Sequence, residues 1–301
     1  MNCKLLATTM LAATVLIGCT TQNSNTLIPA GLGDKCGYIN ETGNWVINPQ
    51  FDNAQTFAEN GLARVELNGK WGYIDKTGKW IINPQFDWIY NFAENGLAVV
   101  HLNGKKGYID KTGKLVITTQ FDDANSFAKN GLALVKLNGE YGFIDQTGKL
   151  VINLQFNRAD SFAKNGLARV KSNGKWGYID KTGKWVINPQ FDDAWDFAKI
   201  GLAPVELNGK WGYIDKTGNW VINPQFDDAW DFCENGLAAA NLNGKYGVID
   251  KTGKWVITPQ FDDVQTDNNA IYFLKDSKWG IVDKNGNIVA EPQFDWVFYK
   301  N

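Results

Sequence analysis

Side chains able to carry chemistry are sparse in this 301-residue chain: it has a single histidine and four cysteines, and its acids recur at even intervals. His101 falls on a strand at a position held by Glu66, Lys136, Lys171 or Glu206 in parallel stretches. A lone, exposed imidazole has no partners for a zinc site or a nucleophile–base–acid set. Asp75, Asp110, Asp145, Asp180, Asp215, Asp250 and Asp283 each open a tight turn, where a carboxylate accepts bonds from turn amides. A second set, Asp122-Asp123, Asp192-Asp193, Asp227-Asp228 and Asp262-Asp263, lies beside an outer segment; its other reading is a shallow acidic rim with weak calcium affinity. Glycoside hydrolysis needs one unique carboxylate pair in a cleft, whereas these acids repeat along the chain. No Gly-rich phosphate loop appears, because the glycines fall in turns and close contacts. The expectation is a protein with no catalytic residues, no cofactor and no metal.

Aromatic residues are the other candidates. Thirteen Trp accompany seventeen Phe and ten Tyr, which excludes disorder for most of the chain. Trp88, Trp195 and Trp230 fall at or near the outer segment, and Trp296 lies there in the last copy. Packing between units is one reading of these rings. The other is a row of exposed indoles that stacks on sugars or grips a partner. A net charge of −2 with Lys and Asp interleaved leaves no basic face, so nucleic acid is not an expected partner.

What must position these residues is a repeat. Cys36-Gly37, Trp71-Gly72, Lys106-Gly107, Tyr141-Gly142, Trp176-Gly177, Trp211-Gly212, Tyr246-Gly247 and Trp279-Gly280 are spaced by 35 residues six times and then by 33. In one unit, Leu62–Leu67 alternates and runs into Asn68-Gly69, a strong two-residue hairpin signal. The chain returns over Lys70–Asp75, turns again at Lys76-Thr77-Gly78, and continues as a third strand from Lys79 until Asn83-Pro84 stops it. Phe86–Phe92 reads as a fourth, outer strand. Regular pairing puts Val65 opposite Gly72, Ala63 and Trp80 opposite Ile74, and Ile82 opposite Gly72. Ala63, Val65, Ile74, Trp80 and Ile82 then share one face; Trp71, Tyr73 and Ile81 share the other. Both faces are apolar, so each unit needs a neighbour on each side and an isolated unit is expected to be unfolded. Gly72 is expected to let a neighbouring aromatic ring approach the backbone.

KWGYIDKTGKW, followed by NPQFD and FAENGLA, resembles the bacterial WG-repeat family over residues 26–301. Lys106 and Tyr141 replace Trp, Thr119 and Leu154 replace Pro, and Asp267-Asn268-Asn269 shortens the last junction. The resemblance implies an all-β repeat array, often exported, and no particular activity. Thr26–Leu32 aligns with the first strand of a unit, and the chain finishes at Phe294–Tyr299, an outer segment with no unit after it. Eight of each segment are present. One expectation is that the last segment completes the first unit and closes an eight-unit, propeller-like ring; the alternative is an open β-superhelix.

The N-terminus forms a separate region. Residues 1–18 hold one Lys, an apolar run from Leu5 to Ile17 too short to span a bilayer, and the ending Leu16-Ile17-Gly18-Cys19, which resembles a bacterial lipobox. That resemblance implies cleavage between Gly18 and Cys19, lipid on Cys19 as the membrane attachment, and a flexible polar tether over 19–25. Thr20, in place of an Asp, points to the outer membrane, with the repeat domain over 26–301 in the periplasm or on the cell surface. Cys3 leaves with the leader; Cys36 and Cys233 occupy slots usually held by Trp and Ala, either as inert thiols or as a bridge. The expected role is a non-enzymatic binding or scaffolding surface at the cell envelope, contacting a protein or, alternatively, a glycan.

Overall fold

The computed structural model describes residues 26–267 and 270–297. The leader, Cys19 and the tether, and Phe298-Tyr299 of the last outer segment, lie outside the described residues, so lipidation and ring closure fall there too.

All regular structure is β. One three-stranded sheet, β1 (Ile28–Leu32), β2 (Lys35–Ile39) and β3 (Trp45–Phe51), is followed by seven four-stranded antiparallel sheets. The second sheet shows the plan: β4 (Asn53–Ala54), β5 (Leu62–Leu67), β6 (Lys70–Asp75) and β7 (Trp80–Phe86) lie side by side in chain order. The fourth segment of each repeat is thus only a two-residue strand in most copies, and it joins the sheet of the next repeat: Asn53 pairs with Glu66 and Ala54 with Val65. The described chain divides into two compact units. One holds the chain to Phe127 with Val135–Asn138 and Ile144–Lys149; the other holds Ala128–Leu134, Gly139–Phe143 and everything from Leu150 on.

Turn chemistry sets the local path. Asn68 and Gly69 both take positive φ, 53° and 73°, as a type I′ hairpin requires. Val65 pairs with Gly72, Ala63 with Ile74, and Ile74 with Trp80, as the regular register predicts. Beyond Trp80 the register shifts. Trp71 pairs with Phe86 but Tyr73 with Ile82, so a two-residue step on β6 faces a four-residue step on β7. This bulge corrects two expectations. First, β7 runs through Pro84 rather than stopping there, because an edge strand can dispense with one amide donor. Second, Ile82 turns to the face of Trp71 and Tyr73, while Ile81 is left exposed.

Gly72 also has a different cause from the expected one. A β-carbon there would lie 2.3 Å from the Ile82 carbonyl oxygen and 2.9 Å from Asn83 C. The bulged third strand of the same sheet, not an aromatic ring, crowds this glycine.

Sheets flanked on both sides within a unit bury both faces. In the first unit, Tyr38, Ile47 and Phe51 of the first sheet cluster with Ala63, Val65 and Ile74 of the second, and Trp71, Tyr73, Ile82 and Phe86 of the second with Ala98, Val100 and Ile109 of the third. In the second unit, Trp211, Tyr213, Ile222 and Phe226 of the sixth sheet cluster with Ala238, Ala240 and Ile249 of the seventh.

Two polar clips tie most repeats to the segment that follows the third strand: a lysine–aspartate pair in seven of the described copies and a tyrosine hydroxyl in five. Lys35 bridges Asp52 at 2.6 Å, Lys245 bridges Asp262 at 2.6 Å, and Lys70, Lys105, Lys175, Lys210 and Lys278 do the same to the Asp seventeen residues on. The second oxygen of Asp52 accepts the Asn68 amide at 2.6 Å. A buried tyrosine supplies the other clip: the Tyr38 hydroxyl donates to the Gln55 carbonyl at 2.7 Å and that of Tyr108 to Asn125 at 2.8 Å. The first acid of each Asp pair is therefore engaged in structure, and no group of three metal-ligating side chains occurs among the described residues. That removes those acids from the rim expected to hold calcium.

The turn aspartates behave as read from sequence. Asp75 accepts the Thr77 hydroxyl at 2.6 Å and the amides of Thr77 and Lys79 at 2.8 and 3.1 Å. The threonine hydroxyl first, and the turn amides after it, hold the carboxyls of Asp75, Asp110, Asp145 and Asp180 below their usual range. A carboxyl whose folded-state pKa is depressed adds stability above its unfolded value of about 4, lost as pH falls through the lower folded value. Denaturant midpoints are expected to hold from neutral pH to about pH 5 and to drop below about pH 4. Thr182→Val should make that drop shallower; a midpoint unchanged at pH 3 contradicts the assignment.

Candidate functional site

The second unit carries a cleft of about 570 Å³ bordered by the sixth, seventh and eighth sheets. Trp195 and Trp230 stand at its edge, 48% and 54% exposed, each just after a two-residue strand, Asp193–Ala194 and Asp228–Ala229. Their rings are open but their backbones are fixed. The Trp195 amide donates to Pro204 O and its carbonyl accepts the Tyr178 hydroxyl at 2.5 Å; the Trp230 amide donates to Ala239 O and its carbonyl accepts the Tyr213 hydroxyl at 2.8 Å. Beneath them, Tyr178 packs on Phe197 and Tyr213 on Phe232, with ring centroids 4.9 and 4.7 Å apart. Large apolar side chains therefore project into solvent from rigid supports.

Three acids, Asp228, Asp231 and Asp263, share the remaining walls with apolar side chains such as Phe232, Ala239 and Val264. Asp228 accepts the Tyr246 hydroxyl at 2.7 Å, and Asp263 accepts the Val264 amide at 2.8 Å. Asp231 is reached by water, yet protein crowds it, and its carboxyl is pushed up to about 6, first by lost hydration and then by Asp196, against the pull of Arg169. The same crowding raises Asp196. Because water enters the cleft, these shifts are read as direction and not as stability. Arg169 is committed elsewhere: its Nε donates to Asp160 at 2.7 Å, another nitrogen donates to the Ala194 carbonyl, and its guanidinium lies 4.5 Å from the Trp176 ring centroid and 5.9 Å from that of Trp195. The Gln265 side-chain oxygen is buried at the cleft with no hydrogen-bond donor. Cys233 lines the same cleft as a free thiol, donating to Thr266 O at 3.2 Å, which excludes a Cys36–Cys233 bridge. Cys36 is buried beside Tyr38, Ile47 and Phe51.

Of the four tryptophans singled out by position, the fold brings two together. Trp88 belongs to the first unit, is partly buried and packs on Trp71 with centroids 4.6 Å apart. Trp296 is 65% exposed and is not among the residues lining the cleft. His101 pairs with Trp88 across the third sheet, in the first unit. Sequence reasoning missed Asp196, Asp231 and Gln265. A signal for the first two exists: the fourth segments read AQTF, IYNF, ANSF and ADSF, but AWDF twice, at 194–197 and 229–232.

Comparison with known proteins bears on the fold. No curated protein matches the chain. A crystal structure of the eukaryotic initiation factor is similar with TM-score 0.54 and 11% identity, over 88% of this chain and 83% of that one; the likeness concerns fold alone. Hsv2 of Kluyveromyces lactis (TM-score 0.41, 10% identity, 77% of this chain and 94% of that one) and apo AztD from Citrobacter koseri (0.40, 10%, 87% and 92%) are more distant in shape. The WG containing repeat matches at 37–71, 71–105, 107–141, 141–176, 176–211, 211–246, 246–279 and 279–301. With eight matches in succession from Gly37 to Asn301, the chain belongs to the WG containing repeat family.

Proposed function

We propose that this chain is a lipid-anchored, exported protein of the cell envelope that works by binding rather than by catalysis, and that the cleft between Trp195 and Trp230 is its contact surface. Lipid on Cys19 would hold it to the membrane, most simply the outer one, with residues 19–25 as tether and the repeats facing a partner. The observation that carries the reading is the pair of half-exposed indoles on pinned backbones. The equivalent position in the earlier copies holds Gln55, Tyr90, Asn125 or Asp160, so the two open indoles are peculiar to these copies, and aromatic anchors are the residue type that dominates contact surfaces. Rigid supports lower the ordering cost of binding. A glycan is the second reading, favoured by the same rings, since indoles stack on sugar faces.

Envelope extract passed over the mature chain should leave bound material that the Trp195→Ala/Trp230→Ala double variant loses at least tenfold, while Trp88→Phe retains it. Equal retention by the double variant rejects the cleft. Cys19→Ala should move the protein from the membrane to the soluble fraction.

A further inference from the structure

We infer that the Trp195–Trp230 cleft takes an organic cation bearing N–H donors, a protonated primary amine on a short aliphatic chain. This rests on the reading of the cleft as the contact surface and names the chemistry of its occupant. Two independent features converge. The first is charge. Asp228, Asp231 and Asp263 line the cleft, and among the described residues lining it there is no Lys, Arg or His. Arg169 pulls on Asp231 and Asp196 but is held by Asp160 and the Ala194 carbonyl, so it offsets the cleft acids only in part.

The second is the pair of rings. An ammonium is attracted to an indole face, more so where water is partly excluded. Trp195 already carries the Arg169 guanidinium 5.9 Å from its centroid. An aliphatic chain would cover the apolar surface of Trp230 and Ala239, both of which line the cleft. A primary ammonium supplies three N–H groups for the carboxylates; a quaternary ammonium supplies none. A neutral sugar donates hydrogen bonds but leaves the acids uncompensated. The cleft volume, about 570 Å³, suits a small molecule or a single side chain.

Proton linkage gives a signature. Asp231 faces Asp196, Arg169, Tyr178, Tyr213 and Cys233, and its carboxyl is raised to about 6. A cation prefers the ionised form, so affinity should climb as pH rises through 6, by up to about tenfold per unit below it.

The test titrates the mature chain at pH 7.5 with n-pentylamine, trimethylpentylammonium, 1-pentanol and maltotetraose, read by tryptophan emission and calorimetry. Pentylamine is expected to bind saturably, the trimethylated analogue at least tenfold more weakly, and the alcohol not at all. Asp231→Asn should lose at least tenfold in amine affinity and flatten its pH dependence. Equal affinity for amine and alcohol, or for amine and trimethylated amine in the wild-type chain, overturns the inference without reliance on any variant. Binding of maltotetraose with the amine inert also overturns it, while leaving the cleft as a contact surface. If no probe binds, the inference falls, and the envelope-retention experiment decides the broader reading separately.

Discussion

Gly72→Ala is expected to destabilise the protein by about 3 kcal/mol or more, placing it among the severe single substitutions. The new methyl would meet Ile82 O at 2.3 Å and Pro84 N at 2.9 Å. These are backbone atoms of the adjacent strand, so no rotamer change relieves the contact, and the bulge that creates it is bonded on both sides through Trp71–Phe86 and Tyr73–Ile82. The equivalent approaches at Gly37, Gly107, Gly177 and Gly212 are 2.3, 2.6, 2.6 and 2.5 Å, so the effect should repeat in each copy tested. Gly69→Asn is the contrast. Gly69 has φ of 73° with nothing within 4 Å of a β-carbon, and Asn tolerates that conformation, so the cost should stay below about 1 kcal/mol. Guanidinium denaturation of both variants measures the difference; comparable midpoints would show that the glycine answers to something other than the bulged strand.

Ile222→Ala should cost about 2–5 kcal/mol, and the loss should spread across two sheets. Ile222 is 3% exposed, pairs with Tyr213 in the sixth sheet, and packs with Ala238, Ala240 and Ile249 of the seventh. It also fills the space above the turn at Gly253, where a β-carbon would lie 3.0 Å from its Cγ2. Part of the shelter of each sheet is thus a residue of another. Hydrogen exchange should show lower protection over both Lys210–Ile214 and Ala238–Ile249. A change confined to the sixth sheet would mean that the sheets are energetically separate, and would remove the reason for expecting a lone 35-residue unit to be unfolded.

Much of this architecture could be read from residues alone, and the exceptions share a cause. Asn68-Gly69 and Gly78 announce their turns because few residues tolerate positive φ, and a two-residue turn dictates that Val65 meets Gly72. Regular pairing holds as far as Trp80 and breaks beyond it, at the bulge. Side-chain alternation carries no mark of such an insertion; the Asn-Pro pair looks like a stop but marks the edge strand's irregular stretch. The fourth segment alternates as a strand would, yet only two of its residues pair in most copies, because the following residues turn their aromatic rings onto the buried tyrosines, as Phe92 does on Tyr73. The lysine–aspartate clip left a trace in the sequence: Glu140 and Asn157, seventeen residues apart, replace both members together in one copy. The cleft was harder to foresee. Whether an indole packs, as Trp88 does on Trp71, or stands open, as Trp230 does, depends on its place within the segment and on what surrounds it, and a single repeat read alone does not contain that information.

The offset between repeat and sheet has an evolutionary consequence. Each full sheet takes its short strand from one copy and its other three from the next. If a block of one whole period is duplicated or lost, the two severed ends rejoin in phase wherever the breakpoints fall, and no strand is orphaned. Identical stretches such as 70–80 and 175–185 are natural points for such unequal exchange. The number of copies can therefore grow or shrink in single genetic steps without passing through a misfolded intermediate, whereas an insertion of any other length must be absorbed within one loop.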